Sequence, residues 1–136
     1  MAYVSQELKA KLAPRIKAIC KKYNVKASLA VRNHSTLVLN ISQGAIDFME
    51  SYNRMGMAES RPSHMPFRPE FKSIDVNVYH YNRHFDGKAL KFLQEIIPAM
   101  NNGNHDNSDI QTDYFDVGWY IDVNIGRWNK PYVLVA

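Results

Sequence analysis

Residues 114–132 (YFDVGWYIDVNIGRWNKPY) constrain the fold of this chain more than any other stretch. Trp119, Ile121, Val123 and Ile125 fall on one side of a two-residue alternation, and Tyr120, Asp122 and Asn124 fall on the other. Successive side chains of a strand point to opposite faces, so the pattern predicts a half-buried strand with one apolar and one polar side. Trp128 to Pro131 reads as a turn, and residues 132–135 read as a final short strand that closes the sheet or pairs with a second copy of the chain.

The same alternation recurs upstream. Leu29 and Val31 mark one strand over residues 27–32, and Leu37, Leu39 and Ile41 mark another over 36–41, with Asn33, His34 and Ser35 as the turn of a hairpin. Ile74, Val76 and Val78 oppose Asp75, Asn77 and Tyr79 in a third strand over 74–79. Two segments carry helical spacing instead. Ser5 precedes Leu8, Leu12, Ile16, Ile19, Cys20 and Tyr23, whose intervals of three and four predict an amphipathic helix with Lys9, Lys11, Lys17, Lys21 and Lys22 outward. Pro14 predicts a kink or a restart within it. Asp86 or Gly87 opens a second helix with Ala89, Leu90, Phe92, Leu93, Ile96, Ile97 and Met100 on one face, ending near Pro98 and the 101–104 turn. Residues 50–71, with Met55, Met57, Met65, Gly56 and three prolines, lose periodicity and read as a long irregular loop.

This order predicts one α+β domain over residues 1–136, a two-layer sandwich. An antiparallel sheet of four or five strands packs one face on two helices, and the other face presents Asn40, Asp75, Asn77, Tyr79, Tyr120, Asp122 and Asn124. With 46% hydrophobic residues, a chain of 136 can bury a core without disulfides or metal. Its one cysteine, Cys20, fits a reducing cytoplasm, and the absence of a long apolar run or an apolar N-terminal segment predicts a soluble, unprocessed protein that does not enter a membrane.

Net charge is +4, distributed unevenly. Residues 1–32 hold eight Lys or Arg against Glu7, whereas residues 101–136 hold Arg127 and Lys130 against five Asp. Such asymmetry fits either an anionic partner for one end or mutual contact of the two ends. The nucleic-acid reading rests on Lys17, Lys21, Lys22, Arg32, Arg54, Arg61 and Arg68 as phosphate contacts. Asp75 and Asp122 oppose that reading on the sheet itself, where they would repel phosphates beside Tyr79 and Tyr120. Tyr79, Tyr120, Asp122, Arg127 and Trp128 are the candidate partner-binding residues.

Other chemistry is thinly supplied. His80 and His84 have metal-ligand spacing only if they lie on a helix, and His105, Asp106, Asp109 and Asp113 concentrate oxygen ligands without the Gly and Glu of a calcium loop. Together with His34 they form the basis of a metal-assisted phosphodiester or nucleotide hydrolase as an alternative function. No Gly-rich phosphate loop, nucleophile elbow or paired-cysteine motif occurs, and no cofactor is implied.

The blocks YVSQELKAKLAPRIKAICKKY, SLAVRNHSTLVLNISQGAIDF, YHYNRHFDGKALKFL and NHDNSDIQTDYFDVGWYIDVNIGRWNKPYVL resemble small uncharacterised proteins of tailed bacteriophages and prophages. The first block is also similar to a small α+β domain associated with large polyvalent proteins of mobile elements. The resemblance implies an accessory role inside an infected cell and transfers no active site. The expectation is therefore a non-enzymatic accessory protein that binds a host, phage or defence macromolecule in the host cytoplasm.

Overall fold

In the computed structural model, the residues described are 3–58, 64, 66–104 and 118–135. Helix α1 spans Gln6–Lys22, and Ser5 caps it by accepting the Leu8 amide at 3.0 Å. It runs unbroken through Pro14. The proline leaves the Ala10 carbonyl without its helical donor, but both residues face solvent, where water can satisfy that carbonyl. Strands β1 (Val25–Arg32) and β2 (Thr36–Gly44) form the expected hairpin. Its three-residue connection places Asn33 and His34 at φ 54 and 58°, and the Ser35 amide closes the turn by donating to the Arg32 carbonyl at 3.2 Å.

The long loop expected over 50–71 is corrected at its start, because helix α2 occupies Phe48–Ala58. Asp47 Oδ1 accepts the Glu50 amide at 3.0 Å and caps it. Phe48, Ser51, Tyr52, Met55 and Gly56 form its inward face, and the small residues Ser51 and Gly56 hide the helical period. Gly56 is needed for contact: a Cβ there would lie 2.1 Å from the Phe67 ring.

Strand β3 is Ile74–Val76, shorter than the 74–79 expected. Asn77 ends it by accepting the amides of Tyr79 and His80 through Oδ1 at 3.0 and 3.1 Å, an Asx turn. Asn77 and Tyr79 therefore leave the sheet face assigned to them. A single helical turn, α3 (Tyr81–His84), follows, and then α4 (Gly87–Met100) with Asp86 before it. Strand β4 (Tyr120–Ile125) and the short β5 (Val133–Leu134) complete the described elements.

The α+β class holds, with a five-stranded sheet in the order β1-β2-β4-β3 and β5 also paired to β2. The expected antiparallel sheet is in fact mixed: β2 pairs with both β4 and β5 in parallel. Alternation reports which face a residue takes and is silent on strand direction, which depends on the long connection through α2, β3 and α4. Parallel neighbours require such a crossover, and the sequence between β2 and β4 supplies it.

Strand register sorts the two faces row by row. Leu29, Leu39, Val123 and Val76 form one apolar row, and Ala27, Ile41, Ile125 and Ile74 form the next. These rows pack with Phe92, Leu93, Ile96 and Met100 of α4 and with Leu12, Ile16 and Ile19 of α1. Edge-to-face rings of Phe48 with Phe85, Phe92 and Tyr132 fill the end of the core near α2. Among the described residues no helix is long and apolar enough to cross a membrane.

Candidate functional site

The opposite face of the sheet is built from the intervening residues of the same strands. Register aligns Ser28, Asn40, Asn124 and Asp75 across β1, β2, β4 and β3. Asn124 Nδ2 donates to Asn40 Oδ1 at 3.3 Å within that row. Farther along the same face, Arg32 of β1 reaches across β2 to Asp122 of β4, with Nη1 to Oδ2 at 2.9 Å. This ion pair joins the basic N-terminal third to the acidic C-terminal third, so part of the charge asymmetry is neutralised within the fold.

At the end of β4 the chain must turn sharply. Gly126 takes φ +71°, and a Cβ there would lie 2.5 Å from both the Lys72 carbonyl oxygen and the Tyr132 nitrogen, so a side chain is excluded by conformation and by space. Residues 127–130 then form a tight turn closed by mutual backbone bonds of Arg127 and Lys130 at 2.9 and 3.1 Å. Both stems are anchored. Gly126 donates to the Ile41 carbonyl at 2.8 Å, Tyr132 donates its amide to Lys72 at 3.0 Å, and the buried Tyr132 hydroxyl donates to the Ile46 carbonyl at 2.6 Å.

Trp128 sits at the tip of this turn, 80% exposed. Together with Arg127, Asn129 and Ser73 it walls a hollow of about 720 Å³ whose floor carries Arg32, Asn40, Asp75, Asp122 and Asn124. Tyr120 lies on the same face at the start of β4. The arrangement offers an aromatic platform, both charge signs and amide groups that donate and accept.

Of the expected partner-binding set, Tyr120, Asp122, Arg127 and Trp128 thus share one face, while Tyr79 stands exposed on the turn after β3. The expected phosphate contacts do not come together. Lys22 pairs with Glu95 at 2.9 Å, and Arg32 pairs with Asp122. Arg54 grips Asp86 with two nitrogens at 2.6 and 2.7 Å and Glu50 at 2.7 Å. Hydrogen bonds from Arg54 and then Ser51 hold the Asp86 carboxyl below its ordinary range, and those carboxylates raise the Arg54 guanidinium further. Lys17 and Lys21 lie on α1, Arg68 is exposed after α2, and Arg61 lies outside the described residues.

His80 precedes a helical turn and His84 ends it, so neither lies on a strand, and the His84 ring packs edge-on against Tyr52. Among the described residues no group of three or more His, Cys, Asp or Glu side chains is placed to hold a metal ion. His105, Asp106, Asp109 and Asp113 lie outside the described residues. Cys20 is buried on α1, and desolvation pushes its thiol up to about 11, which keeps it protonated at neutral pH.

Sequence reasoning missed Ser73, Gly126 and Asn129 as parts of the hollow. Gly126, directly after a clean alternation and two residues before an aromatic, was the available signal of a left-handed turn. No family model, curated protein or solved structure matches this chain.

Proposed function

We infer that this protein is a non-enzymatic binding module that engages a protein partner through the open sheet face, with Trp128 as its anchor. The observation that carries this reading is the exposed Trp128 on a turn pinned at both stems, above a hollow lined by residues of both charge signs. Tryptophan and arginine are enriched among residues that dominate binding energy, and a turn fixed beforehand loses little freedom on association. Asp75 and Asp122 on the floor oppose a polyanion, whereas a protein surface can answer Arg127 and the two carboxylates together. In keeping with the phage resemblance, the partner is a host or defence protein met in the host cytoplasm, and the role is accessory.

The test is affinity capture from host lysate with the wild type, Trp128→Ala and the distant control Lys88→Ala, followed by titration of the recovered partner. The reading predicts one partner retained by wild type and Lys88→Ala, and weakened roughly 30-fold or more by Trp128→Ala. Equal recovery of that partner by Trp128→Ala and Arg127→Ala would remove the open face from the function.

A further inference from the structure

Between α1 and the edge strand β1 lies a second hollow, a groove of about 820 Å³ on the core side of the sheet. It exists because small side chains stand where larger ones would fill the space: Ala13 on α1 faces the groove, as does Ala27 on β1. Leu29 is left half-covered, and the groove reaches inward to Ile16, Cys20 and Leu39, of which Leu39 is only 1% exposed. Lys9, Lys17, Lys21 and Lys26 line its margin, and among the described residues no acidic one lines it. None of these four lysines makes an ion pair among the described residues.

We propose that this groove binds a linear aliphatic carboxylate, its alkyl chain laid along Ala13, Ile16, Leu29 and Leu39 and its head group held by the marginal lysines. Volume and lining decide the ligand class. Hollows of this size with apolar walls and a few convergent polar groups suit small molecules. From Lys9 to Lys21 the helix covers twelve residues, about 18 Å at its ordinary rise, enough for an extended chain of ten or more carbons.

Two macromolecular occupants fit less well. An extended peptide brings a backbone amide every residue; the edge of β1 can pair with those along one side only, and the rest, laid against Ala13, Ile16, Leu29 and Leu39, are left unpaired. Single-stranded nucleic acid gains much of its affinity by stacking on aromatic rings, and among the described residues no aromatic one lines the groove. An alkyl chain carries no polar group inward. Its one carboxylate needs only the ammonium groups at one end of the groove, where Lys17 and Lys21 stand one helical turn apart and neither makes an ion pair among the described residues.

The test is a titration with octanoate, decanoate and dodecanoate, each kept below micelle formation, read by calorimetry and by methyl-resolved NMR of the whole protein. Dodecanoate should shift the methyl signals of Ile16, Leu29 and Leu39 and leave those near Trp128 unmoved. Affinity should rise roughly tenfold for each two methylenes added. Lys17→Gln combined with Lys21→Gln, both exposed positions, should weaken binding about tenfold, and Ala13→Leu should abolish it by occupying the space. Retained NMR dispersion will show that each variant is folded.

The proposal is overturned if dodecanoate leaves the groove methyls in place, or if affinity is independent of chain length. It is also overturned if an acidic peptide or a single-stranded oligonucleotide shifts those methyls at lower concentration than dodecanoate does. These outcomes are independent of whether Trp128 binds a protein partner.

Discussion

The two hollows share strands β1 and β2 and are chemical opposites. In β1, Ala27 and Leu29 face the groove beneath α1, while Arg32 faces the polar hollow. On the polar side the fold matches charge within itself, as Arg32 with Asp122 shows. On the groove side none of the four lysines makes an ion pair among the described residues. The proposed protein partner of mixed charge would thus meet one surface, and the proposed anion with an apolar tail the other. The difference arises from a two-residue period acting on one strand, with a helix laid over only one of its faces.

Leu39→Ala breaks the comparison most severely, because Leu39 belongs both to the groove and to the core row with Val123 and Val76. A cavity at so buried a leucine should cost about 2–5 kcal/mol, read as a lower urea midpoint with unchanged slope. Gly126→Ala acts on the other side. Its positive φ and the 2.5 Å approach to backbone atoms predict a loss of about 1–3 kcal/mol, with amide shifts concentrated at residues 126–132 and the groove methyls unmoved.

A pH series sharpens the picture at the foot of α1. Tyr23 and then Lys22 hydrogen-bond to Glu95 and hold its carboxyl below the ordinary range. A carboxyl depressed in the folded state stabilises fully above its unfolded value, and that contribution disappears as pH falls through the folded value. Asp86, depressed by Arg54 and Ser51, has the same sign. Stability should therefore fall as pH is lowered below the ordinary carboxylate range, and Tyr23→Phe should flatten part of that limb. Lys22, raised by Glu95, contributes in the opposite sense and loses its share only as pH rises past the ordinary lysine value. Denaturant midpoints across pH check both limbs.

Arg32→Ala should have the smallest effect on stability, about 0–1 kcal/mol, since Arg32 is exposed and its pair with Asp122 is partly open to solvent. Its value is diagnostic. The variant frees Asp122 on the polar face and leaves the groove lysines untouched, so it should alter partner binding without altering dodecanoate affinity.

Much of this was legible in the chain. The alternation at Trp119, Val123 and Ile125, the Ser5 cap and the apolar stripe of α4 each report a local face, and the structure uses them as read. Tyr120 and Asp122 were legible as the polar side of the alternation, and Arg127 and Trp128 as the residues just beyond its end. Helix α2 was obscured because Ser51 and Gly56 occupy its inward face, one bonding to Asp86 and the other admitting Phe67. The parallel pairing of β2 with β4 and the groove share a reason for having been hidden. Both depend on which distant segments meet, as Ala13 and Ala27 do across the space they leave.

The central claim, that the open sheet face is the binding surface, is tested most directly by backbone hydrogen exchange on the complex with the captured partner. Protection is predicted at residues 120–130, with α1 and β1 exchanging as in the free protein. Protection confined to α1 and β1, with residues 120–130 unchanged, would contradict the account.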